Sequence, residues 1–509
     1  MSKLYHIDLW LQLLFVNFYV LSGQFSVSSP PLSLWFFSEN RAILTAESNL
    51  EVLYMRTLFK GGTVITGRGP KRADVLVEGE KVRQVGRLIL TPADRTVDVE
   101  GCLLFPGFID AHTHFDLDVC NTTTADDFTT GSRAALKGGT TTVIDFACPN
   151  KGETLAYGLD LWHRKAADCH CDYGFHMTID DWNEGIEGEL DDMFAAGITS
   201  FKMYMTYPAM MLPDGDLYRA LKALKARGGI CGVHCENSGV IDALVAEKKA
   251  RGENSVSCHP QTRPDYLEAE AVGRILRIAQ AAEAPVVIVH TTNAAALSEI
   301  DQARDRGQTV YSETCPQYLA LDDSVYYQED WLSSAKFVCS PPIRKKADQD
   351  ALWDGLREGR VNTVSTDHCS FTTKQKLAGQ GDFTTIPGGL PGVETRGEVV
   401  YTTGVAAGRI DLPTFCRALS ENPAKLYGLY PRKGCIAPGA DADIVVYDPA
   451  ADHTLRAADM VSRCDYTPFE GFRTSGSIAA VYLRGMPAVE NGVVNDVKGQ
   501  YLKRGKCAL

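Results

Sequence analysis

Hydrophobic and polar positions change rhythm twice along the chain. From residue 58 to residue 105 they alternate over short spans, LFKGGTVITG and then ADVLVEGEKVRQVG, with Val75 and Val77 on one side before the turn Glu78-Gly79-Glu80. Period-two alternation between glycine-bearing turns predicts short, half-buried strands. The texture returns in GADADIVVYDP (439–449) and SIAAVYLRGMPAVENGVV (477–494), where β-branched residues are bounded by Gly, Pro and Asn. Two β-rich ends around a different middle predict one small β-sandwich domain drawn from residues 55–105 and 435–495, with 496–509 as a tail.

Between these ends lie eight short apolar runs: CLLFPGFIDA (102–111), TTVIDF (141–146), YGFHMTI (173–179), ITSFKMYM (198–205), ICGVHC (230–235), PVVIVH (285–290), TVYSET (309–314) and NTVSTD (362–367). Amphipathic helical stretches separate most of them. In DLYRALKALKARGG, Asp216 is placed to cap, Leu217, Ala220, Leu221 and Leu224 share one face, and Gly228 ends the helix. A second helix is expected from Asp265, directly after Pro264. Strands alternating with helices imply parallel pairing through right-handed crossovers, and eight such units close into a barrel. The expected fold is therefore α/β, a (β/α)8 TIM barrel over residues 106–434 beside the sandwich.

The first 54 residues fit neither texture. Residues 10–22, WLQLLFVNFYVLS, are interrupted by Gln12 and Asn17 and fall short of the roughly 20 apolar residues that span a bilayer. Lys3 before the run and Ser and Gly after it resemble a secretory signal, whereas His6 and Asp8 do not. The other reading is an upstream extension with Met55 as the functional start, and either way residues 1–54 are expected to lie outside the fold.

Composition narrows the class. At 509 residues, 45% hydrophobic and 23% charged, the chain is neither disordered, collagen-like nor a coiled coil. Its 51 basic and 64 acidic side chains give a net charge of −13, without a basic block, which disfavours nucleic acid and anionic membrane as partners. Fifteen cysteines form no regular framework, which fits a reducing, cytoplasmic compartment.

In a barrel of this kind the chemistry sits at the C-terminal rim of the strands. Run one leads into His112-Thr-His114, run four carries Lys202, runs five and six end in His234 and His290, and run eight ends at Asp367. Imidazole and carboxylate suit a zinc-like divalent ion, and residues two apart on a strand project to one side, so His112 and His114 can reach one metal together. A lone histidine near a strand end is usually structural, and His163, His170, His176, His259 and His453 are read that way. Five runs delivering ligand-competent groups at one end is a coincidence the structural reading does not explain. Four imidazoles and a carboxylate exceed one tetrahedral site, so two ions with a bridging ligand are expected. Lys202 becomes that ligand if burial depresses its pKa and the neutral amine adds carbon dioxide to form an anionic carbamate. The Asp168-Cys169-His170-Cys171 cluster precedes run three, at the opposite rim, and is not read as a metal site.

PGFIDAHTHFD (106–116), SFKMYMTY (200–207), VHCEN (233–237), VHTT (289–292), ETCPQYL (313–319), CSPPIR (339–344), STDHC (365–369) and PGADADIVVYDP (438–449) stand together in one chain. With these segments, Met55 to about residue 495 closely resembles the dihydropyrimidinase and D-hydantoinase family of cyclic amidohydrolases. The resemblance implies a binuclear barrel with a sandwich from both chain ends. It implies two zinc ions per subunit, one held by His112, His114, N6-carboxylated Lys202 and Asp367, the other by Lys202, His234 and His290, with a bridging hydroxide as nucleophile. Asp367 would move the proton to the leaving nitrogen and Tyr207 would donate to the developing oxyanion. Ser340 would contact a cyclic ureide through its main chain. The usual Ile-Pro-Asn-Gly partner stretch reads Ile386-Pro387-Gly388-Gly389 here, so Gly388 is the corresponding backbone contact and the ring substituent stays open. Implied activity is hydrolysis of dihydropyrimidines or 5-substituted hydantoins to N-carbamoyl amino acids, as in pyrimidine catabolism. An allantoinase-like activity remains an alternative, as does a non-catalytic adaptor of the same fold, though such adaptors lack most of the ligands present here. Dihydroorotase is disfavoured because Asp116 occupies the place of its substrate-binding arginine. A homotetramer, with subunit contacts from the segment after about residue 490, is implied by the resemblance alone.

Overall fold

The first apolar run is two strands, not one. In the computed structural model, which describes residues 55–509, Leu103–Pro106 pairs antiparallel with Ile444–Asp448 in the sandwich, while Phe108–Thr113 begins the barrel. Gly107 makes the break. Its N–H donates to Asp443 O at 2.9 Å, and a Cβ there would lie 2.1 Å from Thr141 Oγ1, so only glycine lets the chain turn between the domains at that approach. The apolar stretch at 10–22 lies outside the described residues.

The other seven runs each supply a barrel strand: Thr140–Ala147, Asp172–Thr178, Ser200–Tyr204, Ile230–His234, Val286–Ile288, Val310–Thr314 and Thr363–Val364. With Phe108–Thr113 they form one eight-stranded sheet in sequence order, every pair parallel. Thr363–Val364 is too short to ladder onto the first strand, and side chains close the seam. Asp110 accepts from the N–H (3.1 Å) and hydroxyl (2.7 Å) of Thr366. The fully buried Arg396 donates to Ile109 O at 2.8 Å and Val364 O at 2.9 Å. Above them the His114 N–H donates to His368 O at 2.8 Å, so the seam runs along the His112–His114 segment.

The expected helices are Asp214–Arg227 and Asp265–Ala282. Leu217, Ala220, Leu221 and Leu224 are buried and Gly228 ends the first helix in the left-handed conformation. Asp216 does not cap it. Pro213 holds the cap position, and Asp216 sits inside the first turn paired with Arg219. There the carboxylate still meets the positive end of the helix dipole.

A seven-stranded sheet takes Thr63–Thr66, Gly69–Arg72 and Leu103–Pro106 from one end of the chain, and Ile444–Asp448, Ser477–Leu483, Met486–Glu490 and Val493–Val494 from the other. A four-stranded sheet of Arg56–Lys60, Asp74–Glu78, Lys81–Gly86 and Arg95–Asp98 shares an apolar core with it. Phe59 and Tyr482 meet edge to face there, centroids 4.7 Å apart. Where sandwich meets barrel, buried Lys433 Nζ donates to Asp172 (2.6 Å), Asp443 (2.7 Å) and Asp441 (3.0 Å).

Residues 496–509 run beneath the barrel. The Tyr173 N–H donates to Gln500 O at 3.0 Å and its carbonyl accepts from the Leu502 N–H at 2.7 Å, and buried Arg504 NH1 donates to Ser200 Oγ at 2.6 Å. Among the described residues no helix is long and apolar enough to cross a membrane.

Candidate active site

Each candidate ligand sits at or near the C-terminal end of its strand, where the backbone leaves the sheet. His112 is in the first strand and His114 one residue beyond it. Lys202 is inside the fourth, His234 closes the fifth, and His290 and Asp367 follow the sixth and eighth. His290 (φ 39°), Asp367 (φ 53°) and Tyr207 (φ 66°) all hold left-handed backbone without being glycine. Strain of that kind persists only where the surroundings over-determine it, and it concentrates at functional sites.

These residues converge on a cavity of about 480 Å³. Asp367 Oδ1 lies 3.2 Å from His112 Nε2 and 3.1 Å from His114 Nε2. Lys202 Nζ is 3.5 Å from His112 Nε2, and one ligand atom each of His112, His290 and Asp367 lie within 4.8 Å of one another. His234 and His290 rings are 4.5 Å apart. Phe146 forms an apolar wall, its ring 4.7 Å from that of His112, 5.0 Å from that of His114 and 4.9 Å from Lys202 Nζ. Tyr207, Ser340 and Gly388 line the same cavity, as do Leu117, Val119, Met210 and Ile386.

Buried carboxylates fix the imidazoles from behind. His112 Nδ1 donates to Glu313 at 2.7 Å, which leaves its Nε2 lone pair facing the cavity. His234 Nε2 donates to Glu236 at 2.8 Å, and Arg263 holds the same oxygen at 2.8 Å. Outer carboxylates of this kind set the tautomer and orientation of ligating histidines. Asp145 accepts from Thr113 Oγ1 (2.7 Å), the Phe115 N–H (3.0 Å) and Trp162 (3.0 Å), so it braces the segment carrying both first-strand histidines. His368, next to Asp367, donates to Asp126 at 3.1 Å and accepts from the Gly392 and Val393 N–H groups.

Electrostatics favour the neutral, ligand-ready state at three of the four imidazoles. Burial pushes His114 down to about 4 and His290 well below the usual imidazole range, and lowers His234 despite Glu236. His112 is raised, because Asp367 and Glu313 together outweigh its burial and the Lys202 ammonium. Burial lowers Lys202, the direction that frees its amine. Against its own burial, Asp367 is held well below the usual carboxylate range by His112 and His114. Burial pushes the Tyr207 phenol up. The His114 Nδ1 atom is buried without a hydrogen-bond partner among the described residues.

A model of the amidohydrolase family matches residues 103–488. The chain belongs to the amidohydrolase family. Among amidohydrolase relatives it is 42% identical to a D-hydantoinase of Streptomyces coelicolor over 463 residues, covering 89% of this chain and 98% of that protein. It is also 42% identical to a D-hydantoinase of Geobacillus stearothermophilus, covering 89% and 97%. A solved dihydropyrimidinase from Brevibacillus agri superposes with a TM-score of 0.88 at 40% identity, covering 89% of this chain and all of that one. These place it in the dihydropyrimidinase and D-hydantoinase branch.

Of the five histidines read as structural, His163 packs against Phe175 and Tyr501, His170 donates to Val497 O at 2.8 Å, and His176 lies between Ala111 O and Ser200 Oγ. His453 faces Glu398 at 3.3 Å. His259 reaches the cavity wall and donates to Cys339 O at 2.8 Å. Sequence reasoning missed Glu313, Glu236, Asp145 and His368. The first and third carried a signal: each is an acidic residue inside an apolar strand run, and a buried carboxylate requires partners.

Proposed function

We propose that this amidohydrolase is a zinc enzyme that hydrolyses the ring amide of dihydropyrimidines or 5-substituted hydantoins to N-carbamoyl amino acids. The observation that carries the reading is the convergence of His112, His114, Lys202, His234, His290 and Asp367 on one cavity, with two imidazole Nε2 atoms against a single Asp367 oxygen. The donor set fits two divalent ions. Glu313 and Glu236 leave one nitrogen of His112 and of His234 free to ligate, and burial favours neutral imidazoles at His114, His234 and His290 and a neutral Lys202 amine. His112, His114, Lys202 and Asp367 would hold one ion and Lys202, His234 and His290 the other, Lys202 serving both as its carbamate. Such ions supply hydroxide at neutral pH and polarise a carbonyl.

The chain's own residues do the rest. Asp367 is kept ionised, so it takes a proton from the attacking water and passes it to the amide nitrogen as the ring C–N bond breaks. Tyr207 is kept protonated by burial and donates to the carbonyl oxygen as charge develops on it. The Ser340 and Gly388 main chains hold the ureide, and the apolar wall from Leu117, Val119 and Met210 receives a ring substituent while excluding water. Tyr207→Phe is expected to lower kcat by about two to three orders of magnitude; an unchanged kcat contradicts the role.

Fifteen free thiols, most of them buried, support a cytoplasmic location within this reading. A homotetramer belongs to it through the family resemblance, and exposed Leu88 and Leu90 offer apolar surface for subunit contact. The test is ring opening of dihydrouracil, 5-phenylhydantoin, allantoin and dihydroorotate in parallel on zinc-loaded protein. Preference for either of the first two is expected, and preference for allantoin or dihydroorotate would overturn the assignment.

A further inference from the structure

Lys376 has no place in the chemistry above, yet it is the most completely buried lysine among the described residues and faces no carboxylate. It lies on the short helix Thr373–Leu377, fixed by a capping box between Thr372 and Gln375. Its Nζ donates to three main-chain carbonyls: Val338 at 2.9 Å, Pro387 at 2.6 Å and Gly389 at 2.9 Å. An ammonium has three hydrogens, and all three are used.

These carbonyls belong to the two loops that line the cavity at Ser340 and Gly388. In a trans peptide the C=O and N–H point in opposite directions. Holding the Pro387 oxygen on Lys376 therefore turns the Gly388 N–H away from the lysine, and this N–H has no acceptor among the described residues. Gly388 lines the cavity, and a Cβ there would meet nothing closer than Ser340 Oγ at 3.9 Å. The adjacent Gly389 packs so tightly that a Cβ would lie 2.3 Å from Cys369 O, and its own N–H donates to Val338 O at 2.9 Å. The helix also reaches the other side of the mouth. Gln375 Nε2 donates to Thr122 Oγ1 (2.9 Å) and Thr123 O (2.7 Å) in the hairpin that carries Val119 and Cys120.

We propose that Lys376 is a positioning residue for substrate recognition: its ammonium gathers three carbonyls so that the Gly388 N–H and the Ser340 loop present fixed main-chain groups to a cyclic ureide. The proposal rests on the function proposed above. Removing the cation leaves three carbonyls converging on one point, and the loops separate. Substrate and transition state use the same main-chain contacts, so the loss falls on KM rather than kcat.

Burial lowers Lys376 to about 8, which gives a second readout. Below that pH the ammonium holds the loops; above it a neutral amine has only two hydrogens for three acceptors, so KM rises with pH. The other titratable groups facing it are the thiols of Cys339, Cys369, Cys464 and Cys120 and the His259 imidazole. Burial holds Cys339 and Cys464 up at about 12, Cys369 well above its ordinary value and His259 down at about 3. Cys120 is exposed, and a Cys120→Ser control removes it from the profile.

The experiment measures KM and kcat for dihydrouracil and 5-phenylhydantoin in wild-type, Lys376→Met and Lys376→Gln holoenzyme, from about pH 6 to about pH 10. Lys376→Met is expected to raise KM by about ten- to a hundredfold with kcat within about threefold, and Gln to fall between Met and wild type. Wild-type KM for dihydrouracil should rise above about pH 8 with or without Cys120, and be flat in the Met variant. A folded Met variant with wild-type KM overturns the proposal. If that variant does not fold, a wild-type KM that stays flat to about pH 10 overturns it instead. Wild-type enzyme that opens neither ring overturns the functional reading itself, which the variants then inherit.

Discussion

Lys202→Ala is expected to reduce metal content from two ions to at most one per chain and to lower kcat/KM by about four orders of magnitude, about 5 kcal/mol of barrier. The reason is the position of the amine. Lys202 is buried in the fourth strand with Nζ 3.5 Å from His112 Nε2 and over the rings of Phe146 and Tyr204. An ammonium there has lost its water and would repel any cation held by four imidazoles. In the function proposed here, carbamate formation would remove the conflict: the ammonium gives up one proton, the neutral amine forms an N–C bond to carbon dioxide and gives up a second, and the resulting anion could serve both metals. Short carboxylates such as acetate should restore part of the activity of the alanine variant, because they return the missing oxygens without the lysine stem. Two metals per chain in Lys202→Ala would sink the bridging role.

Asp367→Asn should cost about as much, four orders of magnitude in kcat, while leaving the fold intact. Asp367 meets both first-strand histidines through one oxygen, and in the proposed mechanism it also carries the proton to the leaving nitrogen. An amide can neither accept that proton nor offer an anionic oxygen. Its backbone is left-handed (φ 53°), a conformation asparagine tolerates better than almost any other residue apart from glycine. The variant should therefore unfold within a few degrees of wild type, which separates chemical loss from structural loss. A kcat within about tenfold of wild type would remove Asp367 from the proton path.

The candidate ligands were legible because a barrel aligns strand ends with its rim. His234 closes an apolar run, and His112 and His114 stand two apart, so chain position alone predicted which side chains share one end. The groups behind them were not legible in the same way. Glu313 is 201 residues from the His112 ring it holds, and Lys376 meets carbonyls whose own side chains say nothing of the contact. Such partners are set by tertiary packing, and no local period marks them. The run at 102–111 misled for a related reason. Apolar texture continues through Gly107 although the chain changes domain there, because both strands are buried. Asp216 shows the limit of cap signals: Pro213 sets the helix entry and takes the place that a capping side chain would fill.

The central claim, a metal-dependent cyclic amidohydrolase, is tested most directly by stripping the full-length protein with a chelator and titrating zinc back while following ring opening of dihydrouracil and 5-phenylhydantoin. The account predicts negligible turnover in the stripped protein, full turnover at two equivalents per chain, and an N-carbamoyl amino acid as product. Undiminished hydrolysis without metal, or none of either ring at full loading, would contradict it.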